Sequence, residues 1–250
     1  MTIDKNAITE RLIKSAGISG DMRVLDVGCG QGEVSLLVAD IVGANGEVVG
    51  IDLSNQAITK ARLNASAQQV NNVVFKQVDI FNTLYDLGEF DVIIGRRVLM
   101  YLSQPISALK RLLMLLKPDG VIAFQEIDAS VHAYSTGPHP LHKTVNQWIW
   151  NTIQAEGADI NIGLRLPSYF SEVGLEVKSY KAEANIQRQH SLLFSTIKAI
   201  SHRIIEHDVV DEQEIAINTL QERLNDELSD GSVFIGDMTF SISGKKTLSE

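Results

Sequence analysis

The chain has 250 residues, 44% of them hydrophobic and 21% charged, an ordinary balance for a globular protein able to bury a substantial core. Its formal charge of −9 argues against a nucleic-acid partner and against an anionic membrane surface, since both favour basic faces. Cys29 is the only cysteine, which excludes an intramolecular disulfide and points to a reducing compartment. The stretch from Met1 to Lys14 is polar and lacks a signal-peptide apolar core, and no segment approaches the roughly 18 apolar residues of a membrane span. A cytoplasmic protein without a membrane partner is expected.

In chain order, Ile8, Leu12 and Ile13 share one face of a short helix ending near Gly17, and Gly20-Asp21 turns into the first strand. Val24 to Val27 is an apolar run broken only by Asp26, the pattern of a buried parallel strand. Gly28, Gly30 and Gly32 follow at alternate positions, and a helical pattern begins at Val34. A strand turning sharply into a helix needs residues that tolerate positive φ and close backbone approach. Such a turn marks the carboxyl edge of an open α/β sheet, where ligands bind.

The dinucleotide fingerprint would need glycine at position 33, where Glu33 stands, and no Gly-Lys-Ser/Thr of a phosphate-binding loop follows. A carboxylate at the helix start is also a poor neighbour for a pyrophosphate. The G-x-G-x-G spacing behind Asp26 suits a phosphate-free nucleoside carrying an amine or a sulfonium. Glu47 to Leu53 reads as a second strand ending at Asp52, 24 residues beyond Gly28, where an acid can accept hydrogen bonds from both ribose hydroxyls. Ala57 to Ala67 reads as a helix, and Val73-Val74-Phe75 opens a third strand followed by Asp79, an acceptor for an exocyclic amine. Phe90 to Ile94 is a fourth strand, Ser103 to Leu116 a helix ended by the turn Lys117 to Gly120, and Val121 to Ile127 a fifth strand.

These stretches together resemble the class I methyltransferases that use S-adenosylmethionine (SAM). Val24 to Gly32 resembles that family's first motif, Val49 to Ser54 the second, and Asp79-Ile80 the adenine contact. Phe90 to Leu102 resembles the fourth motif, and Leu116-Lys117-Pro118-x-Gly120 the Lys-Pro-Gly-Gly turn. Asp119 departs from the family's glycine, and Tyr101 stands where histidine is frequent. The resemblance implies a Rossmann-like, doubly wound α/β fold. Its seven-stranded sheet would run 3-2-1-4-5-7-6 with strand 7 antiparallel, and a helical lid would be added. Leu175 to Tyr180 supplies strand six and Phe240 to Ile242 strand seven; Leu192 to Ile205 and Glu212 to Leu228 read as two lid helices. One domain over residues 1–250 is expected, with a cofactor core at about 18–128 and substrate or lid segments at about 129–163 and 185–232.

The resemblance assigns Asp26, Gly28, Gly30, Gln31 and Gly32 to cofactor binding, joined by Asp52, Leu53, Asp79 and Ile80. Arg96 and Arg97 could bind an anionic substrate, but the resemblance implies instead that the backbone at Arg96 flanks the cofactor, leaving Arg97 for structural pairing. The implied activity is methyl transfer from SAM to oxygen, nitrogen or carbon of a small molecule, leaving S-adenosylhomocysteine (SAH). A general base helps when the acceptor is a hydroxyl. His139, His142 and Tyr101 are the catalytic candidates, followed by His132 and Tyr134. Trp148 and Tyr134 are the substrate candidates. Each of these histidines has a plain alternative as a loop residue, and Trp148 as a packing residue. No carboxylate cluster accompanies His139 and His142, so no metal is expected. Cys29 reads as a small packing residue and Asp91 as a turn or sheet-edge residue. The alternative functions are a SAM-binding protein of the same fold that binds or rearranges a small molecule without methylation, and a protein or RNA methyltransferase.

Overall fold

The computed structural model describes residues 7–82, 84–129, 134–135, 137–187 and 193–246. The chain opens with α1 (Ala7–Ser15), β1 (Arg23–Val27), α2 (Glu33–Val42), β2 (Glu47–Asp52), α3 (Asn55–Ala67) and β3 (Val73–Gln77). Then come β4 (Phe90–Arg96), α4 (Pro105–Leu113), β5 (Leu116–Asp128), the two-residue β6 (Tyr134–Ser135), α5 (Pro140–Ala155) and α6 (Leu166–Glu172). The last elements are β7 (Leu175–Gln187), α7 (Leu193–Glu206), α8 (Glu212–Ile215), α9 (Ile217–Asp226) and β8 (Phe234–Lys246). None of the described helices is long and apolar enough to cross a membrane.

The strands hydrogen-bond in the order β3-β2-β1-β4-β5-β8-β6, with β7 pairing to β8. Apart from the short β6, this is the implied seven-stranded mixed sheet with its last strand antiparallel. β1 is central and pairs in parallel with both β2 and β4, so Asp26 lies between Gly50 and Ile94. The central position explains the apolar composition: Val24, Leu25 and Val27 are wholly buried. Leu12 and Ile13 of α1 and Val34, Val38 and Val42 of α2 pack with Val48, Val92 and Ile94 of the strands. Ile58, Ala61 and Ala65 of α3 close over Phe75 and Cys29. Burying each such aliphatic side chain contributes about 1.5–3 kcal/mol, and together they fix the carboxyl edge of β1, β2 and β4.

Several boundaries differ from the sequence reading, among them the end of β7, which runs to Gln187 rather than Tyr180. Lys117 to Gly120 does not end a helix; α4 stops at Leu113, and Leu116 already pairs with Phe90 while Val121 pairs with Val92. The intervening residues form a bulge at the start of β5, with Asp119 at φ 63°. The acidic helix of residues 212–228 is two helices, because Ala216 takes φ 44° and interrupts it. The last strand starts at Phe234 rather than Phe240.

The described residues group into two compact units. One holds residues 7–126, 162–181 and 240–246, and the other 127–161 and 182–239 within the described segments.

Candidate functional site

The first unit carries the glycine turn. Gly28 and Gly30 take φ 62° and 54°, in the region that favours glycine. A Cβ on Gly28 would also lie 2.6 Å from Val98 Cγ2, whereas one on Gly30 would meet nothing within 4 Å. The first glycine is demanded by close approach, and the second opens onto free space. Gly32 ends the turn as the N-cap of α2, and Cys29 Sγ is buried in it with its thiol pushed up by that burial.

Beside the turn lies a hollow of about 550 Å³, walled by Gly28, Asp52, Leu53, Asp79, Ile80 and Tyr101 among others. Asp52 ends β2, and its two oxygens accept the N–H groups of Gly30 (2.9 Å) and Ser54 (2.8 Å). Asp79 follows β3 and accepts from Phe81 N–H (2.8 Å) and Asn82 Nδ2 (2.9 Å). Each carboxylate oxygen has a second acceptor position beyond these bonds. Leu53 is 69% exposed and Tyr101 48% exposed, so both offer apolar surface to a ligand. The hollow thus joins two acids suited to ribose hydroxyls and an amine with flat apolar walls, and its acceptors fit a phosphate-free nucleoside.

A second hollow of about 280 Å³ shares Gly28 with the first and adds Asp26, Gly30, Gln31, Glu33, Arg96 and Arg97. Asp26 is buried, accepts a hydrogen bond from Ser35 Oγ at 2.5 Å, and has its carboxyl pushed up to about 7 by burial. Arg96 ion-pairs with Glu33 and donates to Thr9 Oγ1. Arg97 forms no side-chain hydrogen bond or ion pair with the described residues. The side chain of Arg96 is thus the structurally paired one, while its residue still borders the hollow beside the glycine turn. The reason is that Glu33, at the first position of α2, is within reach of Arg96.

Glu126, which the sequence reading passed over, is buried near the end of β5. Its Oε1 accepts the N–H groups of Val98 (3.1 Å) and Leu99 (2.9 Å), while Oε2 has no partner among the described residues. Burial raises this carboxyl to about 7. Asp91 is no plain turn residue: it accepts Arg23 N–H at 2.8 Å and ion-pairs with Lys117 at 2.8 Å.

The other unit contains His139 and His142, the histidines read from the sequence as catalytic candidates. His139 is the N-cap residue of α5 and His142 lies in its first turn, and both are buried rather than exposed in a loop. His139 Nδ1–H donates to Gly137 O (3.0 Å), leaving Nε2 to accept from Ser232 Oγ at 2.5 Å. Glu227 accepts the N–H groups of Leu141 (2.8 Å) and His142 (3.0 Å), and His142 Nδ1–H as well (2.8 Å). An ionised carboxylate only accepts, so the proton sits on Nδ1 and the lone pair on Nε2. That Nε2 is buried without a partner among the described residues. Burial lowers the His142 pKa against the opposing bond to Glu227, so the imidazole is neutral. Burial opposes ionisation of Glu227 as well, yet its hydrogen bonds hold it below the usual carboxylate range.

One turn further along α5, Asn146 Nδ2 (2.9 Å) and Trp150 Nε1 (2.8 Å) donate to the same oxygen of Asp237. Trp148 and Trp150 point to different sides of the helix, yet both are buried. No sequence signal marks Glu227 or Asp237, which lie 85 and 91 residues from His142 and Asn146. The backbone of Tyr134 lies in β6, pairing with Ile235. Its side chain and His132 lie outside the described residues. No cluster of His, Cys, Asp and Glu suited to a metal occurs among the described residues.

Residues 18–184 match the family described as "Methyltransferase domain", and the chain belongs to that family. Among curated proteins it is similar to the ubiquinone biosynthesis O-methyltransferase of Acinetobacter baylyi. The identity is 29% over 121 residues, covering 48% of this chain and 49% of that protein. The chain thus matches about half the length of such relatives. Among solved structures it resembles a SAM-dependent methyltransferase from Aquifex aeolicus (16% identity, TM-score 0.58, 98% of this chain and 94% of that one). It also resembles the [4+2]-cyclase SpnF (20% identity, TM-score 0.62, 98% and 81%). Both structural likenesses concern the fold.

Proposed function

We propose that this protein transfers a methyl group from SAM to a small organic acceptor, releasing SAH. The observation that carries this reading is the meeting of Gly28, Asp52 and Asp79, from the ends of β1 and β2 and just beyond β3, around one 550 Å³ hollow. In this reading Asp52 receives the ribose hydroxyls and Asp79 an exocyclic amine, and Gly30 leaves the backbone open to the ligand. Bound SAM supplies a sulfonium methyl carbon open to in-line attack. Positioning and water exclusion accelerate such a displacement. Within its own unit His142 is oriented by Glu227 and bare at Nε2, the form in which an imidazole accepts a proton, and it is the general base of this reading. Tyr101, Trp148 and Tyr134 are the further acceptor-contacting residues of this reading. The small-molecule class fits the net charge of −9, and a cytoplasmic site of action fits the lone buried cysteine.

Calorimetric titration with SAM, SAH and NAD tests the cofactor assignment. Micromolar binding of the first two and none of NAD is the expected result. Binding of NAD in preference to SAM and SAH would overturn the reading. SAH formation in an acceptor screen then tests transfer itself.

A further inference from the structure

We infer that a hollow at the amino edge of the sheet, where β1, β4 and β5 begin, is a binding site for a small apolar zwitterion of the amino-acid class. The hollow has a volume of about 370 Å³ and lies within the first unit. It shares no lining residue with the hollows of Asp52 and Asp26, which open at the carboxyl edge.

Ser243 of β8 lines this hollow and is wholly buried, and its Oγ has no hydrogen-bond partner among the described residues. A buried hydroxyl is ordinarily bonded, and leaving it bare is costly. Lys245 lies two residues further on, so it shares the strand face of Ser243. Asp119 borders the hollow from the bulge at the start of β5. Neither Lys245 nor Asp119 makes a side-chain hydrogen bond or ion pair with the described residues. A solvent-facing charge is ordinary by itself. Two opposite ones flanking a bare buried hydroxyl in a concave wall are the protein's half of a set of ligand contacts.

The lining has two polar sides. Its other charges are already paired, Asp91 with Lys117 and Lys178 with Glu176. The acids come from β4 and β5 and the lysines from β8 and β7, which are successive in the sheet. Asp119 and Lys245 therefore stand on neighbouring strands, which run about 4.8 Å apart. The end of α1, Ser15 to Gly17, also borders the hollow, and the carbonyl end of a helix favours a cation. Ala16, Met22, Val92 and Val121 supply apolar surface continuous with the core. A lone anion would meet Asp119 unpaired, and a lone cation would meet Lys245. A molecule with both charges and an apolar body satisfies the two sides together, its carboxylate taking Lys245 and the Ser243 hydroxyl and its ammonium taking Asp119.

Calorimetry tests this with L-phenylalanine, with 3-phenylpropanoate, which lacks the ammonium, and with 2-phenylethylamine, which lacks the carboxylate. The wild type is expected to bind phenylalanine at least about tenfold more tightly than either analogue, as for one charge-assisted bond. K245M should weaken phenylalanine and phenylpropanoate about tenfold and leave phenylethylamine unchanged, whereas D119N should weaken phenylalanine and phenylethylamine only. S243A should weaken phenylalanine a few-fold without lowering the urea midpoint, because its hydroxyl has no partner to lose in the ligand-free protein. Asparagine tolerates the φ of 63° at position 119, so D119N keeps the bulge.

No binding of phenylalanine below about 10 mM overturns the inference and leaves the hollow to solvent. Binding that all three variants leave unchanged overturns it too, since the amino acid then sits elsewhere. Equal affinity for phenylalanine and phenylpropanoate, with D119N silent, overturns the zwitterion. No arm uses SAM or SAH, so a failure of the methyl-transfer reading is seen separately.

Discussion

The two units hold their charged side chains by different means. Around the glycine turn, acids are held by main-chain N–H groups: Asp52 by Gly30 and Ser54, Asp79 by Phe81, and Glu126 by Val98 and Leu99. In the unit of α5, polar side chains also pair with side chains far along the chain, as in His142 with Glu227, Asn146 with Asp237 and His139 with Ser232, and Glu227 adds two main-chain N–H groups to its pair. A site built on backbone depends on turn geometry, which needs glycines and strand-end acids at set spacing. A site built from remote side-chain pairs needs only that two residues meet after folding. Groups of the first kind are tied to their strand ends, whereas those of the second survive only as long as both partners do.

The comparison is tested most severely at His142. H142A is expected to lower turnover about 100-fold or more for any acceptor that loses a proton, with SAH affinity unchanged. E227Q should act in the same direction through its partner. In the wild type, nitrogen NMR of His142 should show a protonated Nδ1 and a bare Nε2. A protonated Nε2 in the neutral ring would remove His142 from the reaction.

A somewhat smaller effect is expected from the buried acids of the first unit. Asp26 and Glu126 both have folded-state pKa values raised to about 7 by burial. A raised value means the folded state holds its proton more tightly than the unfolded state. The associated stability is full below about pH 4 and is lost as pH rises through about 7. Between pH 5 and pH 9, D26N should therefore lose about 2–4 kcal/mol less than the wild type in urea unfolding. His142 contributes with the opposite sign. Its lowered pKa makes stability fall as pH drops below about 6.5, and H142A should lack that loss.

Next comes Asp52. D52A should weaken SAH by about 10–100-fold in calorimetry, through ribose hydroxyls left without an acceptor. Unchanged affinity would remove that residue from the site. The smallest effect belongs to Asp91, whose half-exposed pair with Lys117 braces the start of β4. D91N should cost no more than about 1 kcal/mol by urea midpoint, and 1 M salt should shrink the difference.

How much was legible follows from the same contrast. The order of β1 to β5, the turn and the positions of Asp52 and Asp79 at or just beyond strand ends could be read, because each is set by local spacing and by the apolar demands of a central strand. Which arginine side chain pairs with Glu33 could not, since adjacent arginines carry the same chemistry and only the placement of Glu33 separates them. Glu126 reads as an ordinary strand-end residue until the turn at Val98 and Leu99 folds back onto it. The break at Ala216 was hidden because alanine is a strong helix former, and only tertiary packing overrides that preference. The bulge at Lys117 to Gly120 has the composition of a turn, and pairing of Leu116 with Phe90 decides otherwise.

The grip of Gly30 and Ser54 on Asp52 also bears on how a nucleoside would be received. Both oxygens are fixed, so the carboxylate is locked in one rotamer before any ribose arrives. Its ordering entropy is settled during folding, and association meets a receptor already in its bound shape. D52E carries the same charge on one more rotatable bond. It should retain some affinity yet bind with a less favourable entropy, because the freedom removed in the wild type by two main-chain hydrogens would be lost on binding instead.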